Sequence, residues 1–329
     1  MSALFPARPR LPDRIARRLR LPLIAAPMLR VSGIDLVVAA CRNGVVGAFP
    51  TVNARGEGEL DRWLTEIRAR LFAAPEEAAP WCPNLIMRSP RLADDLACLI
   101  RHKVEIVITS VGSPAPVVGP LHEIGALVLA DVASIAHARK AIAAGADGLV
   151  LLTAGAGGQT GWLNPFAFVR ALRDEFDGPL VLAGGMSDGV ALRAAQVLGA
   201  DLGYMGTRFI ATHEASAADG YKQMLVGADA DDVQLTSAFT GLPTSMLRPS
   251  IRAAGLDPAR LDETVTPESA AQMFGGSAHG GAGTGADAPS PRRWTDVWSA
   301  GHSVSGVKAR CSVDALVAEL EHAYHHANG

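Results

Sequence analysis

Short apolar runs of strand length recur along this chain, separated by longer segments in which apolar residues return every three to four positions. The first pattern predicts strands over 21–28, 45–49, 81–87, 104–109, 126–130, 147–153, 180–183 and 202–205. The second predicts helices over 34–43, 57–72, 90–102, 134–144, 165–176 and 189–198, with a short one around Leu121 and Ile124. Runs such as Leu149-Val150-Leu151-Leu152 suit strands buried on both faces, as in a parallel sheet. Eight strand–helix units predict an α/β chain closed as a (β/α)8 barrel, with an open doubly wound sheet as the alternative. The phrases Ala144-Gly145-Ala146-Asp147 and Leu198-Gly199-Ala200-Asp201 repeat one device, a helix stopped by glycine and a turn feeding a strand.

Beyond Phe209 the regularity breaks. A helix is expected over 215–226, a polar stretch over 229–234 and a loop with two prolines over 240–249. Residues 275–293 are rich in Gly, Ala, Ser and Pro and read as mobile. A terminal amphipathic helix follows over 312–326, with Leu316, Val317 and Leu320 as its apolar stripe. The resulting organisation is a barrel core over 1–210, a C-terminal, mostly helical lid over 211–305, and a last segment over 306–329 that returns to the barrel.

Three loops carry candidate chemistry. The strand at Gly148–Leu152 runs into Ala154-Gly155-Ala156-Gly157-Gly158-Gln159, where glycines admit close backbone approach to a ligand and Gln159 is the polar side chain at the apex. The seventh strand ends in Ala183-Gly184-Gly185 and the eighth in Met205-Gly206-Thr207. Barrel sites lie at these strand ends, with phosphate sites after the last two strands. Small residues there, with a helix N-terminus behind the first loop, suit a phosphate monoester; tight turns needed only for packing are the plain alternative. Neither a P-loop nor a Rossmann GxGxxG is present, which argues against a triphosphate or dinucleotide as resident cofactor.

Composition changes this picture little. A net charge of −3 gives no reason to expect nucleic acid or a membrane surface, and the arginines between Arg8 and Arg20 read as solvating an N-terminal turn. No apolar run reaches the length of a membrane span, and the N-terminus lacks a signal-peptide core. Cys41, Cys82, Cys98 and Cys311 form no CxxC pair, so neither a metal site nor a disulfide framework is expected. A soluble, cytoplasmic protein acting on a small molecule follows, with a homodimer as a candidate assembly.

The set IAAPM on the first strand, PN on the third, AGAGGQTG, LAGGMSDG, MGTRF and the late WSAG resembles the nitronate monooxygenase family, FMN-dependent barrels. The resemblance covers residues 21–211 and resumes at 298–301. It implies that Ala183, Gly184, Gly185, Gly206 and Thr207 hold the FMN phosphate. Pro27, Met28 and Leu29 would line one side of the isoalloxazine, Asn84 would contact the flavin or its ribityl chain, and Gly157 and Gly158 would pass close to the ring. The family also holds NAD(P)H-dependent quinone reductases and enoyl reductases, so NAD(P)H is a candidate electron donor.

Two positions depart from the family pattern. Gln159 stands where a catalytic histidine is common, and glutamine hydrogen-bonds without abstracting protons. Asp131 stands where relatives often carry lysine; it is either a flavin contact or the N-cap of the following helix. His302, after WSAG, becomes a candidate proton donor on the opposite side of the mouth, and His213 a further candidate at the mouth. The reading implied is an FMN-dependent oxidoreductase of alkyl nitronates using O2. The alternatives are an NAD(P)H-dependent quinone or enoyl-thioester reductase and, further off, a non-redox barrel handling a phosphosugar or nucleotide.

Overall fold

In the computed structural model, residues 10–72, 78–264 and 295–327 are described. The segment expected over 275–293 lies outside them. Six strands come first: β1 (Leu23–Ala25), β2 (Val46–Pro50), β3 (Trp81–Ile86), β4 (Ile106–Ser110), β5 (Leu127–Val132) and β6 (Gly148–Leu152). A two-residue strand, β7 (Gly158–Gln159), precedes β8 (Leu180–Ala183) and β9 (Leu202–Met205). All but β7 are parallel members of a closed barrel ordered β1-β2-β3-β4-β5-β6-β8-β9. It closes where Leu23, Ile24 and Ala25 pair with Gly203, Tyr204 and Met205. The predicted barrel is therefore the observed fold. The first strand is shorter than the apolar run that signals it, because 26–29 leave the sheet to line the mouth.

Period-two alternation explains why nearly every strand residue is apolar. Ile24, Ala48, Cys82, Ile108, Leu129, Val150, Val181 and Leu202 share one buried cluster inside the barrel. Leu23, Leu149, Leu151, Leu180 and Leu182 belong to another, with Phe168 and Leu172 from helix Pro165–Arg173 and Leu192 from helix Gly189–Leu198. At the other end of the barrel, Ile15 of the short helix Asp13–Ala16 enters the interior cluster. The arginines there are structural: Arg14 donates to the Gly125 carbonyl at 2.6 Å and Arg18 to Glu105 at 2.5 Å, both just ahead of barrel strands. Arg20 pairs with Glu321 of the terminal helix Val313–His325, whose Leu316, Val317 and Leu320 are buried as the stripe predicts.

The repeated Gly-Ala-Asp phrase is a latch. The Asp147 carboxylate accepts the Val128 N–H at 2.7 Å, and the Asp201 carboxylate accepts the Leu180 N–H at 2.8 Å. Each aspartate thus ties the start of its own strand to the preceding one. His122 bonds Asp147 and Arg173 bonds Asp201, so a polar side chain from a neighbouring helix covers each.

The segment after the barrel carries helix Asp219–Gly227, helix Arg248–Ala253 and a hairpin of β10 (Val233–Thr236) and β11 (Thr244–Leu247). The residues expected as a proline-bearing loop at 240–249 therefore contain a strand. Its four residues sit between Pro243 and Pro249, too short to show a period, and its partner is far away in sequence: β11 pairs antiparallel with β7, setting Thr244 opposite Gln159 and Ser245 opposite Gly158.

The second latch gives a stability prediction. Both side chains of the Arg173–Asp201 pair are over nine-tenths buried. Asp201→Ala should cost about 3–5 kcal/mol, because it strands a buried guanidinium and a strand N–H. Glu175→Ala, which breaks the exposed pair with Arg139, should leave stability nearly unchanged. Urea unfolding of the two variants checks the contrast.

Candidate functional site

The alternation that fills the barrel also builds the floor of its mouth. One step beyond the apolar interior layer, the inward positions are Ala26, Pro50, Asn84, Ser110, Asp131, Leu152, Ala183 and Tyr204, and all eight line a cavity of about 310 Å3. Its walls come from Pro27, Met28 and Leu29, from the glycine loop through Gln159, from Gly184–Met186 and Gly206–Thr207, and from Tyr221, Thr240, Ser299, Ala300 and Ser303 of the later segment. The cavity thus lies at the C-terminal ends of the strands, where barrel sites form.

Each wall is held by identifiable bonds. After β1, Asn53 donates to the carbonyls of Met28 and Ser32, both at 2.9 Å, and accepts from the Arg30 N–H; Ser32 Oγ accepts from the Met28 N–H. Arg30 sits there at φ 62°, and Val111, beside Ser110, at φ 55°. A β-branched residue in that region is strained, and strain of this kind concentrates at functional sites. Asn84 lies within β3, so it caps no turn; its amide donates to Ser110 Oγ at 3.1 Å.

The glycine loop is anchored from three sides. Gly158 N–H donates to Ser299 Oγ at 2.7 Å, and Ser299 Oγ donates in turn to the Ser245 carbonyl at 2.6 Å. Tyr221, stacked on Trp298, donates to the Ser299 carbonyl. A β-carbon on Gly157 would lie 2.8 Å from the Gly301 nitrogen, so the two backbones meet where only glycine fits. The Gln159 side chain, half-buried at the cavity edge, has no hydrogen-bond partner among the described residues.

Gly185, at φ 73°, would direct a β-carbon into open space, and the N–H groups of Gly184 and Gly185 have no acceptor among the described residues. With Gly206 and Thr207 they form a cradle with room for an anion. The helix N-terminus expected behind this loop is already capped, because the Asp188 carboxylate accepts the Ala191 N–H at 2.8 Å. The N–H groups left without an acceptor here are those of the loop rather than the one capped by Asp188. Arg208 donates to Ser187 and to Glu319 of the terminal helix, a structural pairing.

Asp131 is not an N-cap: Ser134 caps the following helix Ile135–Ala143. Its Oδ1 is sealed from solvent without a partner, and burial pushes the carboxyl up to about 7. The neighbouring Tyr204 and Cys82 are also pushed up by burial and are neutral. Among the described residues that line the cavity there is no lysine, arginine or histidine.

Of the candidate site residues singled out from sequence, all but His302 and His213 line the cavity. His302 bonds the Gly155 carbonyl through its N–H at 2.9 Å, its side chain is exposed with the ring against Gly155, and Ser303 lines the cavity in its stead. The placement gives no support to His302 as a proton donor, and His213 is likewise exposed and outside the lining. Sequence reasoning missed Ser110, Tyr204, Asn53, Tyr221 and Ser299. Tyr204 and Ser110 share the inward parity of their strands, a signal that was present; Ser299 lies in the WSAG segment, which marked the region but not its bonds, and Tyr221 lies far from the loop it anchors and carries no local signal. Asp61, Cys98 and His102 also come together, on helices Glu59–Leu71 and Leu92–Arg101 and on the residue after it. None of the three lines the cavity, and Arg101 already pairs with Asp61.

A family model described as nitronate monooxygenase matches residues 86–322. A nitronate monooxygenase from Paraburkholderia phytofirmans is 30% identical over 287 residues, 75% of this chain and 78% of that protein. A (3aS,4S,5R,7aS)-5-hydroxy-7a-methyl-1-oxo-octahydro-1H-indene-4-carboxyl-CoA dehydrogenase from Mycobacterium tuberculosis is 28% identical, covering 69% of this chain and 63% of its own. Among solved structures, a nitroalkane oxidase from Streptomyces ansochromogenes superposes with a TM-score of 0.76 over 96% of this chain and 99% of its own, at 23% identity. FabK from Thermotoga maritima superposes with a TM-score of 0.75 over 98% and 97%, also at 23% identity.

The unpaired carboxyl sets a pH-dependent stability. Its folded value lies above its ordinary value of 3.8, so the fold favours the neutral acid. That advantage is whole below about pH 4 and is gone once the pH has risen through about 7, where the fold bears the cost of a buried charge. Asp131→Asn in the ligand-free protein should therefore raise Tm at pH 8 by about 3 °C, for a relieved cost on the order of 2 kcal/mol. The gain should shrink toward pH 4, as thermal scans across that range would record.

Proposed function

Because the chain belongs to the nitronate monooxygenase family and is an oxidoreductase, we propose that it holds FMN in the barrel mouth and oxidises an alkyl nitronate with O2 as electron acceptor. The observation that carries this reading is the cavity itself, which joins an anion cradle of unpaired N–H groups to a polar floor and contains no imidazole. The residues fit FMN: a β-carbon at Gly185 would enter the cradle, and the orphaned Asp131 oxygen and the free Gln159 amide face the same space.

In this reading Gly184, Gly185, Gly206 and Thr207 bind the phosphate through backbone N–H groups. Pro27, Met28 and Leu29 cover one side of the ring, while Gly157 and Gly158 let the loop approach it. Bound FMN supplies the acceptor for the substrate's electrons. Asn84 donates from the floor and is oriented by Ser110. Gln159 donates its amide N–H to a substrate oxygen, and β11 together with Ser299 keeps it at the rim. Tyr221 and Ala300 close the upper wall against water. A nitronate is already ionised, so it requires no base at position 159; the neutral nitroalkane would.

A second reading, an NAD(P)H-linked reductase or dehydrogenase of a quinone or thioester, is favoured by the likeness to the carboxyl-CoA dehydrogenase of M. tuberculosis. Rapid-mixing measurements of flavin bleaching separate the two: nitronate outpaces NADH and NADPH in the first reading, and the order reverses in the second.

Purified protein should be yellow and release FMN on denaturation, while Gly185→Glu should fold but remain colourless; FAD, or an FMN-loaded variant, would contradict the cradle. Gln159→His should create turnover of neutral nitroalkane that rises as pH passes about 6.5, the imidazole range. Efficient turnover of nitroalkane by the wild type would point to a base elsewhere. His302→Gln should leave the substrate half-reaction intact, without the roughly 10²-fold or larger loss that follows removal of a general acid.

A further inference from the structure

The floor of the cavity is asymmetric. Its polar positions on β3, β4 and β5 are Asn84, Ser110 and Asp131, on the side of the barrel away from the glycine cradle after β8 and β9. Asn84 and Ser110 bond each other, which leaves Asp131 as the unsatisfied member, with an oxygen sealed from solvent and no partner. A flavin whose phosphate occupies the cradle must lay its heteroatom-bearing pyrimidine edge on polar groups and its dimethylbenzene edge on apolar ones. The polar side of this floor is the side that contains Asp131.

Charge decides the form in which the carboxyl meets the ring. The titratable groups facing it from the packed elements are Tyr204 on β9 and Cys82 on β3, both neutral; β4 offers Ser110, β6 offers Val150 and Leu152, and the later segment offers Tyr221. No cation lines the cavity among the described residues. A ring laid over the carboxyl removes its remaining water and so opposes its charged form. The pyrimidine edge offers two carbonyl oxygens and N1 as acceptors against a single N3–H donor, so a neutral acid has more partners there than a carboxylate.

We propose that Asp131 is the proton-linked contact of the flavin site: its neutral carboxylic acid donates a hydrogen bond to the acceptor edge of the pyrimidine ring, and binding FMN takes one proton from solvent onto this carboxyl. The proposal rests on the FMN reading above and adds a dependence that reading does not contain. Holoprotein would therefore form readily near neutral pH and shed its cofactor in alkaline medium, under the control of a single side chain.

The test is FMN binding, followed by flavin fluorescence on flavin-free full-length protein, wild type and Asp131→Asn, from pH 6 to pH 9. Asparagine keeps a donor at the position and cannot ionise. The second ionisation of the FMN phosphate, near pH 6, is common to both proteins and cancels in their ratio. The ratio of wild-type to variant Kd should rise by about tenfold per pH unit above 7, the slope of one linked proton. A flat or falling ratio overturns the proposal while leaving the FMN reading standing; a wild type that binds no FMN at any pH overturns both. Calorimetry of wild-type binding at pH 8, in buffers of different ionisation enthalpy, gives the proton count directly and decides the matter even if the variant fails to fold. Uptake of about one proton is expected, and no uptake overturns the proposal.

Discussion

Two backbones meet without side chains between them at Gly157 and Gly301, and the site depends on that meeting. A β-carbon on either residue would collide with the other strand of chain, and the loop after β6 would then be displaced from the segment that closes over it. Ser299 completes the junction, since one hydroxyl accepts from the glycine loop and donates to β11. The barrel supplies a floor whatever happens above it. The wall carrying Gln159 depends on this contact, together with the β7–β11 pairing, to dock the later segment onto the barrel.

The division between floor and wall also explains what could be read from the chain. The barrel was legible because each strand is buried on both faces, so runs such as Leu149-Val150-Leu151 stand out from the amphipathic helices around them. Asn84 was legible as a polar residue within such a run, and Asp131 only as a departure from the family pattern. Tyr204 obeys the same parity but was absorbed into an apolar strand, because half of a tyrosine resembles its neighbours. The roof was much less legible. β11 is framed by prolines, its partner β7 has two residues, and Ser299 bonds a residue 141 positions away. Pairings of that separation leave no trace in local composition. His302 misled for a related reason: its neighbours Ala300 and Ser303 face the cavity, and the short 3-10 turn His302–Gly306 rotates the imidazole outward.

The electrostatics of the mouth follow from the same architecture. The last inward layer of a parallel barrel is surrounded by apolar side chains below and by backbone at the sides, so an ionisable group there has lost part of its water before a ligand arrives. The arginines of this chain are spent elsewhere: Arg14 and Arg18 at the far end of the barrel, Arg173 on the strand latch and Arg208 on the terminal helix. The site is left to neutral donors, unpaired N–H groups and one carboxyl that favours its proton. Such a setting suits a ligand that brings its own negative charge to the cradle and a polar, uncharged edge to the floor.

The short helix Asp13–Ala16 has a consequence of a different kind. By pressing Ile15 into the interior at the end opposite the mouth, it stoppers the barrel. Together with the side chains that fill the barrel, it closes the interior at that end. Among the described residues the cavity is bounded below by this packed core and above by the later segment, so a ligand is gained and lost on the side of the strand ends.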